Sequence, residues 1–99
     1  MPGFDAKLER EFLEFHLANP DVYTALLNYA VQLQARGRKR YGIGALFEVL
    51  RWHKAMTTTD PDFKLNNNHR AFYARLIMTR ESALDGFFSV RRSVADDMA

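Results

Sequence analysis

Apolar residues three and four positions apart recur in four blocks of this 99-residue chain, and helix breakers separate the blocks. Such spacing places apolar side chains on one face of an α-helix. The breaks lie at Asn19-Pro20, Gly37, Pro61 and Asp85-Gly86, and these residue types end or start helices. The pattern therefore predicts about four helices, over residues 5–18, 20–36, 43–56 and from the asparagines at 66–68 to about residue 79.

Two short segments in the second half are typical of β-strands. Phe63-Lys64-Leu65 follows a proline-containing loop, and residues 87–92 alternate between apolar and polar side chains. We expect the two to pair. The predicted fold class is thus mainly α, with about four helices and a small two-stranded β element. The element order is winged-helix-like, although residues 57–66 exceed the short turn of a helix-turn-helix and one final strand is not a hairpin.

The length fits a single domain over residues 1–99, with 94–99 predicted to be a frayed tail. The third helix has two apolar faces, one of them formed by Val49, Trp52 and Met56, so we expect it to be central. Trp52 is then a core residue rather than a stacking platform. Members of the apolar stripes are predicted to form the core: Phe12, Phe15, Leu26, Leu46, Phe47, Leu50, Phe72, Leu76 and Phe88.

The chain contains no cysteine, which excludes a disulfide framework and zinc sites built on thiolates. Its first residues have no apolar signal-peptide core, and no apolar run approaches the roughly 20 residues that span a bilayer. We therefore expect a cytoplasmic protein without a membrane partner.

Charge is distributed unevenly along the chain. Residues 1–35 carry two basic and five acidic side chains, whereas residues 36–92 carry twelve basic and five acidic ones. Ten of the fourteen basic residues are arginine, whose planar guanidinium suits phosphate and carboxylate groups. A basic body with an acidic amino-terminal segment indicates a nucleic acid or an acidic protein surface as partner.

The fourth helix carries the main candidate surface. Opposite its apolar stripe, the helical projection places Asn67, Ala71, Ala74, Arg75 and Met78. Asn and Arg make paired hydrogen bonds to base edges, and the arginines of the following strand suit phosphates. Two alternatives stay open: the asparagines are only a helix cap, or Arg75 pairs with a carboxylate of the first helix. The predicted nucleic-acid-binding residues are Lys64, Asn67, Asn68, Arg70, Arg75, Arg91 and Arg92.

A second basic cluster lies between the second and third helices, formed by Arg36, Arg38, Lys39 and Arg40. It suits phosphate contact, and equally a solvated turn that complements the dipole of the preceding helix.

No self-sufficient catalytic site is present in the sequence. Asp62-Phe63-Lys64 matches the D-x-K element of metal-dependent nucleases, but the accompanying strand carboxylate is missing. His16, His53 and His69 lack the spacing of a helical metal pair. We expect no enzymatic activity, no metal and no cofactor.

Residues 51–78 and 86–92 together resemble small proteins encoded in bacteriophages and prophages. The shared pattern is Arg-Trp on a helix, Lys-x-Asn-Asn before a helix bearing Tyr-Ala-Arg, and a terminal Gly-x-Phe-x-x-Arg. The matching residues are Arg51, Trp52, Lys64, Asn66, Asn67, Tyr73, Ala74, Arg75, Gly86, Phe88 and Arg91. The resemblance implies a mobile-element origin, where such proteins bind DNA as regulators or inhibit host nucleic-acid machinery, as anti-CRISPR proteins do. The expected function is DNA binding; the alternative is docking on a host protein such as a nuclease or CRISPR effector.

Overall fold

The computed structural model describes residues 6–88, which form four α-helices and two short 3₁₀ turns. The helices are α1 (Ala6–Ala18), α2 (Pro20–Ala35), α3 (Ile43–Thr57) and α4 (Arg70–Arg80), and the 3₁₀ turns lie at Asn67–His69 and Ser82–Leu84. The prediction of a mainly helical chain with four helices is confirmed. Within residues 6–88, no helix is long and apolar enough to cross a membrane.

The break between α1 and α2 forms at the predicted Asn19-Pro20 step. Proline occupies the first turn of α2, where its missing N–H leaves no helix bond unmade. The Asn19 side chain does not cap α2. Instead, its Nδ2 donates to the Phe15 carbonyl at 3.1 Å, beside the bond that its backbone N–H makes to the same oxygen at 2.9 Å. The asparagine therefore closes α1 rather than opening α2.

Gly37 ends α2 in the left-handed cap that the sequence predicts. Its φ is +92°, a region that side-chain-bearing residues rarely adopt. The Gly37 N–H donates to the Gln34 carbonyl at 3.0 Å, and the Arg38 N–H donates to the Leu33 carbonyl at 3.0 Å. This pair of bonds is a Schellman motif, and it turns the chain sharply toward α3.

The central helix is α4, not α3. Phe72, Tyr73 and Ala74 are consecutive and all buried, and three consecutive helical positions span about 200° of the helix circumference. α4 packs on α2 and α3, and Phe12 of α1 contacts the rings of Phe72 and Tyr73 at centroid distances of 5.1 and 4.8 Å. The buried core thus surrounds α4.

Most of the predicted core residues are buried. Phe15 and Leu76 are half-buried. The remaining members are fully within the core: Phe12, Leu26, Leu46, Phe47, Leu50, Phe72 and Phe88. The register assigned to α4 is therefore correct for its apolar stripe.

The second apolar face of α3 lies open, which corrects the prediction that α3 is covered on both sides. Val49, Trp52 and Met56 expose 43%, 62% and 67% of their surface. The buried residues of α3 form one stripe at i, i+3, i+4 and i+7, from Ile43 to Leu50. Because α4 takes the central place, no described element packs over the other face.

The predicted strand at residues 63–65 is not formed, and residues 63–65 therefore do not pair with Phe88. Helices flank this segment, and its buried Leu65 is held through its carbonyl, which accepts a hydrogen bond from Arg51 Nη2 at 3.2 Å. Phe88 forms an isolated parallel bridge with Tyr41 instead, next to a Tyr41 N–H bond to the Phe87 carbonyl at 3.1 Å. No longer strand occurs within residues 6–88, and residues 89–92 of the predicted wing lie outside the described part.

Candidate nucleic-acid interface

The four cations between α2 and α3 form one exposed group, the basic loop (Arg36, Arg38, Lys39 and Arg40). The Schellman turn at Gly37 ends α2 at this point, so these side chains project from a connection rather than from a packed helix face. Within residues 6–88, the ion pairs are Arg51–Glu48 and Lys54–Asp21. None of the four basic-loop residues has an ion-pair partner in that range, so their charge is uncompensated within the described part of the chain.

Arg70, the first residue of α4, is an exposed cation near the start of α3. Its guanidinium Nη1 lies 3.2 Å from the position that a Cβ on Gly44 would occupy. The Arg70 Nε donates to the Asn67 carbonyl at 3.1 Å, which holds the side chain in this direction. A glycine at position 44 leaves the guanidinium room to lie against α3, four residues after Arg40, the last cation of the basic loop.

The asparagine cluster is largely structural. Asn66 Oδ1 accepts from the Asn68 N–H at 2.9 Å and so caps the 3₁₀ turn. Asn67 Oδ1 accepts from Arg51 Nη2 at 2.7 Å. Of the predicted site residues here, Asn68 keeps an exposed side chain without a described hydrogen bond, so the cap interpretation accounts for most of the cluster.

The predicted base-reading face of α4 is not an open surface. Ala74 is completely buried, and Ala71, Arg75 and Met78 are half-buried. The Nε atom of Arg75 is itself buried. A recognition helix presents an exposed face to the major groove, and these four residues of α4 are buried or half-buried, so base reading by them stays a prediction. Arg91 and Arg92 lie outside the described residues.

Lys64 borders a pocket of about 310 Å³ between α3 and the segment before the 3₁₀ turn. Arg51 and Lys54 also line it, but each has an ion-pair partner. The Lys54 ammonium additionally lies 5.1 Å from the centroid of the Phe63 ring. Arg51 and Lys54 therefore have structural contacts at this pocket, and Lys64 is the exposed cation of its lining.

An exposed aromatic surface, which the sequence interpretation missed, lies along α2 and α3. A groove of about 220 Å³ runs between the two helices and reaches from Arg36 past Tyr41 to Val49. The sequence contained a signal for this surface: α3 carries apolar residues beyond those of its one buried stripe. We call this surface the aromatic face; its members are Tyr29, Tyr41, Val49, Trp52, His53 and Met56.

The histidines and acidic side chains of residues 6–88 are not grouped into a chemical centre. His69 is buried beside the rings of Phe12 and Phe15, at 5.7 and 5.5 Å, and burial lowers its pKa. Asp62 is exposed in a turn, where its N–H donates to Asp60 Oδ1 at 2.9 Å. Across residues 6–88, no three His, Cys, Asp or Glu side chains are grouped so that they could hold a metal ion.

Comparison with protein-family models, with curated proteins and with solved structures finds no match. The features of the molecule that bear on function are therefore those of its surface: the basic loop, Arg70 and the neighbouring groove between α2 and α3.

Proposed function

We propose that this protein binds DNA without chemical action on it, as a small regulatory or accessory protein of phage or prophage type. The observation that carries the proposal is the basic loop, whose four exposed cations have no carboxylate partner within residues 6–88. A concentrated, uncompensated positive charge attracts the phosphate backbone and releases its counterions. Arg70 adds a fifth cation beside the start of α3.

The proposed contact is with phosphates rather than with base edges. The burial of Ala74 and the partial burial of Arg75 favour the basic loop over α4 as the contact surface, because the basic-loop side chains are exposed and can follow a phosphate backbone. Phosphate contacts position a protein without carrying sequence information. Lys64 and Asn68 are exposed polar residues that extend the proposed surface. We therefore expect weak sequence preference, and the winged-helix interpretation is not required for it.

The first prediction concerns salt dependence. Each phosphate that the protein neutralises contributes about −0.9 to the slope of log K against log salt, so five cations give a slope of roughly −3 to −5. Replacing both Arg38 and Arg40 by alanine should make this slope less negative by about 2 by the same rule. The measurement is fluorescence anisotropy with a labelled oligonucleotide at several salt concentrations.

Arg10→Ala is the matched control, since Arg10 is an exposed arginine on α1, an element that is not part of the proposed surface. It should leave the slope unchanged. A folded wild-type protein that binds neither duplex nor single-stranded DNA at low salt would refute the proposed function.

A second candidate function is docking on a host protein, and the outer side of α1 favours it. Leu13 and Leu17 are 46% and 78% exposed, and Glu14, also exposed, is three residues before Leu17 and so its neighbour on the helix surface. Exposed apolar residues beside a carboxylate suit a protein surface with a basic rim. The test is nuclease-treated co-purification: one host protein recovered in equimolar amount, and lost with Leu17→Arg, would support docking.

A further inference from the structure

The aromatic face is continuous with the basic loop. Arg36 and Tyr41 line the same groove as Tyr29 and Val49. The Tyr29 and His53 rings are stacked with centroids 6.3 Å apart, and the His53 and Trp52 rings meet edge to face at 5.2 Å. A ligand in the groove at Arg36 therefore has an unbroken path of aromatic and apolar side chains to Trp52.

The carboxylates of the two helices that form this groove are all paired. α2 and α3 together contain two carboxylates, Asp21 and Glu48, and these are paired with Lys54 and Arg51. Arg36 and the rest of the basic loop, in contrast, have no ion-pair partner within residues 6–88. Electrostatic complementarity thus requires an anionic occupant, while the exposed rings require one with flat, apolar faces.

We propose that the aromatic face binds single-stranded DNA, with phosphates on the basic loop and unpaired bases stacked on Trp52 and Tyr41. This inference rests on the proposed function and specifies its substrate. Proteins that bind single strands combine a basic groove with aromatic side chains on which bases stack. In a duplex the base faces already stack on one another, so exposed rings gain nothing from them. The open position of Trp52, at 62% exposure, is what a stacking ring needs.

The sole tryptophan of the chain is Trp52, so its fluorescence observes the proposed contact directly. We expect a single-stranded oligothymidine to quench the emission as it binds, because a base stacks on the indole. The same length of duplex should bind more weakly and quench little. Single-strand binding without quenching, or equal binding of duplex, would overturn the inference and leave the proposed function standing. Failure of both DNA forms to bind would overturn the inference and the proposed function together.

Two variants separate stacking from general stability. Trp52→Ala should weaken single-strand binding about ten-fold, since one base stack corresponds to about that factor, whereas Trp52→Phe should retain most of the affinity. Leu17→Ala removes an exposed apolar side chain on α1, outside the aromatic face; it is the matched control and should leave single-strand binding unchanged. Because Trp52 is exposed, its variants should keep the thermal midpoint of the wild type.

The alternatives to DNA as partner of the aromatic face are a second copy of the chain and another protein. A dimer through this face would shift the Trp52 emission with protein concentration in the absence of DNA, and sedimentation would show the dimer. That result, or an affinity for oligothymidine unchanged in Trp52→Ala, would contradict the single-strand assignment.

Discussion

The hydroxyl group of Tyr73 lies in the middle of the core without a hydrogen-bond partner among residues 6–88. Burial raises the pKa of this hydroxyl far above its usual value, so it remains protonated. An unsatisfied buried polar group destabilises a fold by about 1–3 kcal/mol. The ring itself contributes through contacts with Phe12 and Phe47, and phenylalanine would keep those contacts.

Tyr73→Phe should therefore raise the free energy of unfolding by about 1 kcal/mol. The neighbouring Phe72→Ala should lower it by about 3–5 kcal/mol, since it removes a buried ring and leaves a cavity. Chemical denaturation of the three proteins measures both changes. A destabilised Tyr73→Phe would mean that the hydroxyl has a partner and that its burial is favourable.

Stability below neutral pH depends on His69. Burial lowers the pKa of His69 below the 6.5 of an exposed histidine, and Glu11 opposes this shift. Between the two pKa values the unfolded chain binds more protons than the folded one, so stability rises with pH in that window. The contribution of neutral His69 to the free energy of unfolding is complete above about pH 6.5. It is lost as the pH falls toward the pKa of His69 in the folded protein.

We expect the free energy of unfolding to fall as the pH drops below 6.5, and His69→Gln to make this dependence shallower. The readout is a slope, so a general loss of stability in the variant does not affect it. Part of the dependence should persist, because burial and the Arg80 charge lower the pKa of His16 in the same direction. Identical slopes for wild type and variant would show that His69 does not titrate in this range.

Among the elements, the α2–α3 connection depends most on a single residue. Gly37 adopts a φ of +92°, so a side chain there strains the backbone although nothing lies within 4 Å of its Cβ position. Gly37→Ala should lower stability by about 1 kcal/mol. Gly42 has an ordinary φ of −89° and equally open surroundings, so Gly42→Ala should be neutral. Thermal unfolding of the two variants makes this comparison, and equal midpoints would argue against the strained cap.

The limits of the helices could be predicted because local chemistry determines them. Asn19-Pro20 and Gly37 act through their own backbone preferences, and the predicted ends of α2 are within one residue of those observed. The apparent strand at residues 63–65 failed for the opposite reason. A strand exists only where a partner strand lies beside it, and the neighbours of Leu65 are helices and the Arg51 side chain.

At the scale of the whole molecule, hydrophobic periodicity identified which residues share a face but not which element covers that face. Phe72 and Ile77 were correctly assigned to the interior. The small Ala74 was assigned to the surface and is buried, whereas Trp52 was assigned to the core and is exposed. Both errors follow from the choice of α3 as the centre. The position of α4 is decided by packing between distant segments, which a single sequence does not encode locally.

Because α4 supplies the middle of the core, the order of synthesis matters for this chain. A ribosome that has made α1, α2 and α3 has released three helices whose apolar stripes have no common partner until residues 70–88 emerge. At about 5–20 residues per second, those nineteen positions take about one to four seconds. During that interval the nascent chain exposes Phe12, Leu26 and Phe47, side chains that the finished fold buries completely or nearly so. We therefore expect the growing polypeptide to bind chaperones until α4 emerges.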